Sequence, residues 1–146
     1  MTSDHTKAKI GIKLSSMRFP VRWGEMDALG HVNNASYLRY FEESRILWSE
    51  SLGMHLDGTG EGMILLKASV TYKKQVGYPA DIDIDLLAGD IGRTSFQLVN
   101  TLTIAGETAP AATGEFVIVW FDYRTNKSMP VPATLRAVLE GKGRAT

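Results

Sequence analysis

Between Asn34 and Ser51 the chain runs without a glycine or a proline, and beyond Gly62 it is written almost wholly in period two. That contrast constrains the fold more than any other feature. On a helical wheel Tyr37, Leu38, Phe41, Ser44, Trp48 and Leu52 share one face, while Arg39, Glu42, Glu43 and Glu50 lie elsewhere. The spacing predicts an amphipathic helix of about five turns. Asn33 or Asn34 is placed to cap it, because a short amide accepts from the free N–H groups of a first turn. Gly53 is placed to stop it.

The period-two segments read as strands. Ile64, Leu66, Ala68, Val70 and Tyr72 alternate with Leu65, Lys67, Ser69, Thr71 and Lys73, and Asp81 to Leu86 alternates without a flaw. Phe96, Leu98, Asn100, Leu102 and Ile104 form a third comb, and Thr113 to Tyr123 is apolar enough to be central. The connections at 77–80, 89–92 and 105–107 are short, as sequential antiparallel hairpins require. Upstream, Phe19, Val21 and Trp23 form a short comb that Pro20 confines to an edge or a bulge. Residues 1–15 read as a flexible lead-in, and Pro130 and Pro132 introduce a short helix from Ala133 to Glu140. No helices alternate with the later strands, so a parallel sheet is not expected. The predicted class is α+β: a single domain over 16–142, with an antiparallel sheet wrapped around one long central helix. The 146 residues suit one domain, and 44% hydrophobic content supplies its core.

Charge narrows the function. Lys+Arg and Asp+Glu both number 16, which gives no support for a nucleic-acid partner. The absence of cysteine excludes disulfides, a catalytic thiol and Cys-ligated metal sites. Met1 to Lys13 is polar, and no apolar run approaches the ~20 residues of a membrane-spanning helix. A soluble cytoplasmic protein with no membrane partner is expected.

The chemistry concentrates in the loop from Trp23 to Asn34. There is no G-x-S-x-G elbow and no phosphate-binding Walker motif, and the Gly58 to Gly62 run precedes a strand rather than a helix. The loop instead holds Glu25, Asp27, His31, Asn33 and Asn34 around Gly24 and Gly30, and it feeds into the helix N-terminus. Free N–H groups there form an oxyanion site. A carboxylate beside such a site suits ester or thioester hydrolysis, as nucleophile or as base for a water. The same residue types also serve as local turns and caps. Glu25, Asp27 and His31 have the chemistry of a metal site, but His5 and His55 lie in a tail and a loop, so no metal is expected. Asp81, Asp83 and Asp85 share a strand face and read as solvated charge. Arg45 falls in the apolar sector between Phe41 and Trp48, where an unpaired charge is costly. It calls for a carboxylate partner or a subunit interface.

The run Val21 to Glu42, with a D-x-x-G-H-V-N-N-x-x-Y core at Asp27 to Tyr37, strongly resembles the signature of hotdog-fold acyl-CoA thioesterases. It is most like the 4-hydroxybenzoyl-CoA thioesterase family. Similarity continues through Ser69 to Lys74 and Ile91 to Phe96. The resemblance implies a hotdog fold, an acyl-CoA substrate and no cofactor beyond the coenzyme A of that substrate. It implies Asp27 as catalytic carboxylate, Asn34 at the oxyanion-binding amide, and His31 beside the acyl site. It implies substrate contacts from Tyr37, Glu25 and Asn33, and coenzyme A contacts from Arg93, Thr94 and Ser95. Lys67, Lys73 and Lys74, with Arg93, have the charge to bind the phosphates of coenzyme A, or are ordinary surface charge that discourages edge pairing. The resemblance also implies a homodimer or homotetramer with sites at subunit interfaces. Glu25 is the one departure, since many relatives carry Asp there, and a catalytic Glu25 would displace Asp27 from its role. A non-catalytic acyl-CoA-binding protein is the alternative on the same scaffold.

Overall fold

The computed structural model describes residues 11–54 and 57–142, so the first ten residues of the expected lead-in and both His5 and His55 lie outside the described residues. In chain order come β1 (Lys13–Pro20), one 3₁₀ turn (Trp23–Glu25), α1 (Asn34–Ser51), β2 (Glu61–Tyr72), β3 (Asp81–Ile91), β4 (Ser95–Ile104), β5 (Ala112–Asp122), β6 (Lys127–Ser128) and α2 (Ala133–Leu139). The sheet order is β1-β3-β4-β5-β2, with β6 on β5, and every pairing is antiparallel. The helix starts and stops as the capping residues predict. Asn33 Oδ1 accepts from Ala35 N at 2.9 Å, and Gly53 adopts the left-handed φ of 81° that ends a helix.

The face that α1 buries differs from the expected one. Tyr40 belongs to it, and Leu38 does not, being 41% exposed, while Arg45 is buried in the apolar sector where the sequence puts it. Leu38 and Tyr40 flank the central stripe on opposite sides. The sheet curls over the Tyr40 flank, where Phe19 of β1 stacks on the Tyr40 ring at 6.3 Å. On the other flank the sheet ends at β2. Phe41 is fully buried with its ring 5.7 Å from that of Phe116. Gly114 makes this close approach possible, since a Cβ there would lie 2.7 Å from the Phe116 ring and 3.0 Å from that of Phe41. Gly114→Ala should therefore cost about 1–3 kcal/mol by overpacking. A thermal melt unchanged from wild type would contradict the contact. Beside it, Asn100 Nδ2 donates to Ser44 Oγ (3.3 Å) and to the Asp85 carbonyl (3.0 Å), a polar tie between helix and sheet.

Three further expectations are corrected. β2 and β3 do not form a hairpin: β2 pairs with β5, and the chain crosses the end of the sheet to reach β3. This makes β5 interior, as its apolar run predicts, and leaves β2 at an edge. β1 begins at Lys13, inside the expected lead-in, and Gly11 N already donates to the Ala88 carbonyl at 2.6 Å. It ends at Pro20, which lacks the N–H to continue a ladder, so Trp23 falls in the 3₁₀ turn rather than in a strand.

The acidic face of β3 is stitched to β1. Arg18 donates to both Asp83 oxygens (2.7 and 3.0 Å), and Ser16 and Lys13 reach Asp85. The Arg18 guanidinium holds the Asp83 carboxyl below the usual carboxylate range. Among the described residues no helix is long and apolar enough to cross a membrane.

Candidate active site

The loop between β1 and α1 is closed by its own backbone. Asp27 N donates to the His31 carbonyl at 2.7 Å, Gly30 N donates to the Asp27 carbonyl at 3.1 Å, and Met26 bridges to Val32. Gly30 takes a φ of 81°, a region costly for any residue with a Cβ. The Asp27 side chain is held within this turn. Its Oδ1 accepts from Leu29 N (2.8 Å) and His31 N (3.2 Å). Among the described residues Oδ2 has no partner and remains available to a ligand. Gly30→Ala should open this turn at a cost of about 1–2 kcal/mol. It should also lower turnover, because both amides that fix Asp27 belong to the same turn. Full activity with an unchanged melt would argue against that linkage.

Glu25 is held elsewhere. Its Oε1 accepts from Arg22 N at 3.1 Å and from the Tyr40 hydroxyl in a short hydrogen bond. Burial, with the Glu25 carboxylate as the next cause, pushes the Tyr40 phenol well above its ordinary range. The Glu25 carbonyl accepts from Asn33 N at 2.8 Å. Glu25 thus locks the 3₁₀ turn to α1, and its carboxylate faces Tyr40 rather than Asp27.

Asp27 borders a cavity of about 250 Å3 together with His31, Asn34, Tyr37, Tyr72 and Lys73. Val32 N donates to the Val76 carbonyl (2.8 Å), which draws the segment after β2 across the start of α1. Asn34 opens the helix. Its N–H has no partner among the described residues, while its carbonyl accepts from the Tyr72 hydroxyl at 2.9 Å. Tyr37 meets the Tyr72 ring edge-on at 5.0 Å. Burial first, and Tyr72 second, raise the Tyr37 phenol above its usual range. His31 Nδ1 is buried without a hydrogen bond in the described structure. Lys74 and Gln75 complete the wall, and Lys74 is ion-paired with Glu107. Asp27 also borders a second cavity of about 440 Å3, walled by Trp23, Met26, Ala28 and Tyr78.

The structure thus brings together Asp27, His31, Asn34, Tyr37 and Lys73. It does not bring the other candidates there. Asn33 is spent on capping α1. Arg93, Thr94 and Ser95 stand at the far end of the sheet: Ser95 pairs with Val119, whereas Tyr72 pairs with Ala112. That is about 23 Å along β5. Lys67 lies exposed midway along β2. Sequence reasoning missed Tyr72, Gln75 and the Trp23–Tyr78 wall. Tyr72, as the aromatic end of an otherwise aliphatic comb, carried a signal. Among the described residues no three His, Asp or Glu side chains cluster as a metal site.

A family model described as the thioesterase-like superfamily matches residues 21–139. The chain belongs to the thioesterase-like superfamily. Among solved structures, this superfamily member is similar to the PA2801 protein of Pseudomonas aeruginosa, described there as a candidate thioesterase. The two share 39% identity over 88% of this chain and 99% of that one, with a TM-score of 0.84. The PA5185 protein of the same organism is 25% identical, covering 95% of this chain and 99% of its own, with a TM-score of 0.81. YsmA of Bacillus subtilis, uncharacterised, is 29% identical over 75% of this chain and 74% of its own length. The fold is the α+β hotdog expected from the sequence.

Proposed function

We propose that this chain hydrolyses acyl-CoA thioesters to a free carboxylic acid and coenzyme A, with Asp27 as the catalytic carboxylate and the Asn34 N–H as the oxyanion donor. One observation carries the reading. A carboxylate fixed through Oδ1, with Oδ2 available, shares a cavity with an unpaired N–H at the start of a five-turn helix. Asp27 Oδ2 either attacks the acyl carbon directly or takes a proton from the water that does. The negative charge that develops on the carbonyl oxygen meets the Asn34 N–H and the positive end of the helix dipole. The leaving thiolate is stable enough that no metal is required. His31 lines the same cavity and orients the water or the thioester. No cofactor is needed, since coenzyme A leaves with the reaction.

The two cavities meet at Asp27, so a thioester bond at that carboxylate extends one arm into each. Lys73 supports the coenzyme A arm on its side, and the Trp23, Met26 and Tyr78 wall suits the acyl arm. Arg93, Thr94 and Ser95 reach the same coenzyme A only from a second chain. The reading is therefore of a homodimer or homotetramer with shared sites, working in the cytoplasm. The test is thiol release from a panel of aromatic, short and long acyl-CoAs. Binding without turnover across the whole panel would favour the non-catalytic alternative.

Glu25 supplies a sharper check. Its carboxylate accepts from Arg22 N and Tyr40, and a glutamine oxygen can accept from the same donors. Glu25→Gln should keep turnover within about tenfold of wild type, the scale of one hydrogen bond. A loss as deep as that of an Asp27 variant would move the catalytic role to Glu25.

A further inference from the structure

The segment that carries Asp27 is a small antiparallel hairpin. The Glu25 carbonyl accepts from Asn33 N at 2.8 Å, Met26 bridges to Val32, and Asp27 N donates to the His31 carbonyl at 2.7 Å. The returning arm runs directly into α1 through the Asn33–Asn34 peptide. The outgoing arm, which bears Asp27, has no such covalent tie to the helix. A hairpin held at one end can pivot, and Asp27 would swing with it against an Asn34 N–H that belongs to α1. Catalysis tolerates little play of this kind, since a misplacement of about 1 Å can cost about 10²-fold in rate.

A second attachment removes that freedom. The Tyr40 hydroxyl donates to Glu25 Oε1 in a short hydrogen bond, and the same oxygen accepts from Arg22 N at 3.1 Å. Tyr40 stands six residues beyond Asn34, which is about 9 Å along a helix. The two attachments are therefore well separated on one rigid element. The phenol is itself fixed in place: it is 5% exposed, and its ring stacks on Phe19 with 23° between the planes. Burial first, and Glu25 second, push its pKa up, so it stays protonated and a donor at neutral pH. Among the described residues no other side chain donates to the Glu25 carboxylate, although Arg22 and Arg39 line the same crevice. Packing alone does not require the hydroxyl, because a phenylalanine would fill the same space against Phe19.

We propose that Tyr40 is a positioning residue for the reaction: acting through Glu25, it fixes the tilt of the Asp27 hairpin on α1 and so sets the place of the Asp27 carboxylate relative to the Asn34 N–H. This role rests on those proposed above for Asp27 and Asn34. It gives Glu25 a purpose that needs no contact with substrate. Glu25 sits two residues before Asp27 on the outgoing arm, and its side chain turns away from the cavity to hold that arm to the helix. The link is a single chain of contacts, from Tyr40 through the Glu25 side chain and backbone to Asp27, and it breaks wherever one member is removed.

The test is steady-state thiol release, with a thermal melt on the same samples. Tyr40→Phe keeps the stacked ring and removes only the donor. It should melt close to wild type, lower kcat by about tenfold or more and leave KM within about threefold. Glu25→Ala, which removes the acceptor, should show the same split. The double variant should be no slower than the slower single, because both break one link. A Tyr40→Phe kcat within about twofold of wild type, or losses that multiply in the double variant, would overturn the proposal. Asp27→Asn supplies the background that separates positioning from general support of the fold. There Tyr40→Phe should change the residual turnover by less than about twofold, since no carboxylate is left to place. An equal loss in both backgrounds would mean that Tyr40 serves the fold as a whole. Should Tyr40→Phe fail to fold, Glu25→Ala is compared in the same two backgrounds, with the same outcomes deciding. If Asp27→Asn keeps wild-type turnover, the reading of the site fails and this role with it. If Asp27→Asn is slow and Tyr40→Phe is not, only the role of Tyr40 fails.

Discussion

Asp27→Asn should lower turnover of every acyl-CoA that the chain accepts by about 10²- to 10⁴-fold, the range for removing a positioned acid–base group. The asparagine oxygen can still accept from Leu29 N and His31 N, which hold Oδ1 in the wild type at 2.8 and 3.2 Å. The turn should survive, and the thermal melt should stay close to wild type. Only the negative charge and its second oxygen are lost. Asp27→Ala removes the turn acceptor as well, so it should lower both turnover and stability. The comparison separates chemistry from scaffolding: the two variants should share the kinetic defect and differ in their melts. Steady-state thiol release with thermal denaturation decides it. An asparagine variant with wild-type turnover would remove Asp27 from the mechanism.

How much of this was legible in the sequence depends on the range of the interaction. Asn34 to Ser51 could be read as a helix because capping, continuity and periodicity are local. The β3, β4 and β5 combs were legible for the same reason, and their short connections gave the hairpins. The partner of β2 was not. Period two tells which side chains share a face but carries no information on the neighbouring strand, and β2 pairs with β5 across some fifty residues of chain. Glu25 shows the same limit within the site. As the one departure from the family pattern it stood as a rival to Asp27 for the catalytic role, whereas its side chain is claimed by Tyr40, fifteen residues on. Asn33 and Asn34 were both legible as residues of a helix start. Which one caps and which exposes its N–H depends on where the helix begins, and one residue decides it.

The largest stability effect should come from Phe41→Ala, at about 3–5 kcal/mol, the usual range for emptying a buried aromatic position. Phe41 is fully buried, and its ring packs against Phe116 over a glycine that offers no side chain to fill the gap. Gly114 therefore makes the site unable to collapse, which places the cost toward the upper end of the range. A domain of this size is stable by only about 5–15 kcal/mol, so the loss takes a large share of the total. Urea unfolding should show a lower midpoint with the slope unchanged. Leu38→Ala, one turn away on the open flank, is the matched control. If Leu38 meets only solvent, its loss should be within about 0.5 kcal/mol. If a second copy covers it, the loss should instead grow with protein concentration, because stability is then linked to assembly. A Phe41→Ala loss below 1 kcal/mol would mean that α1 does not rest on β5 as described, and Asn34, at the head of the same helix, would lose its fixed place beside Asp27.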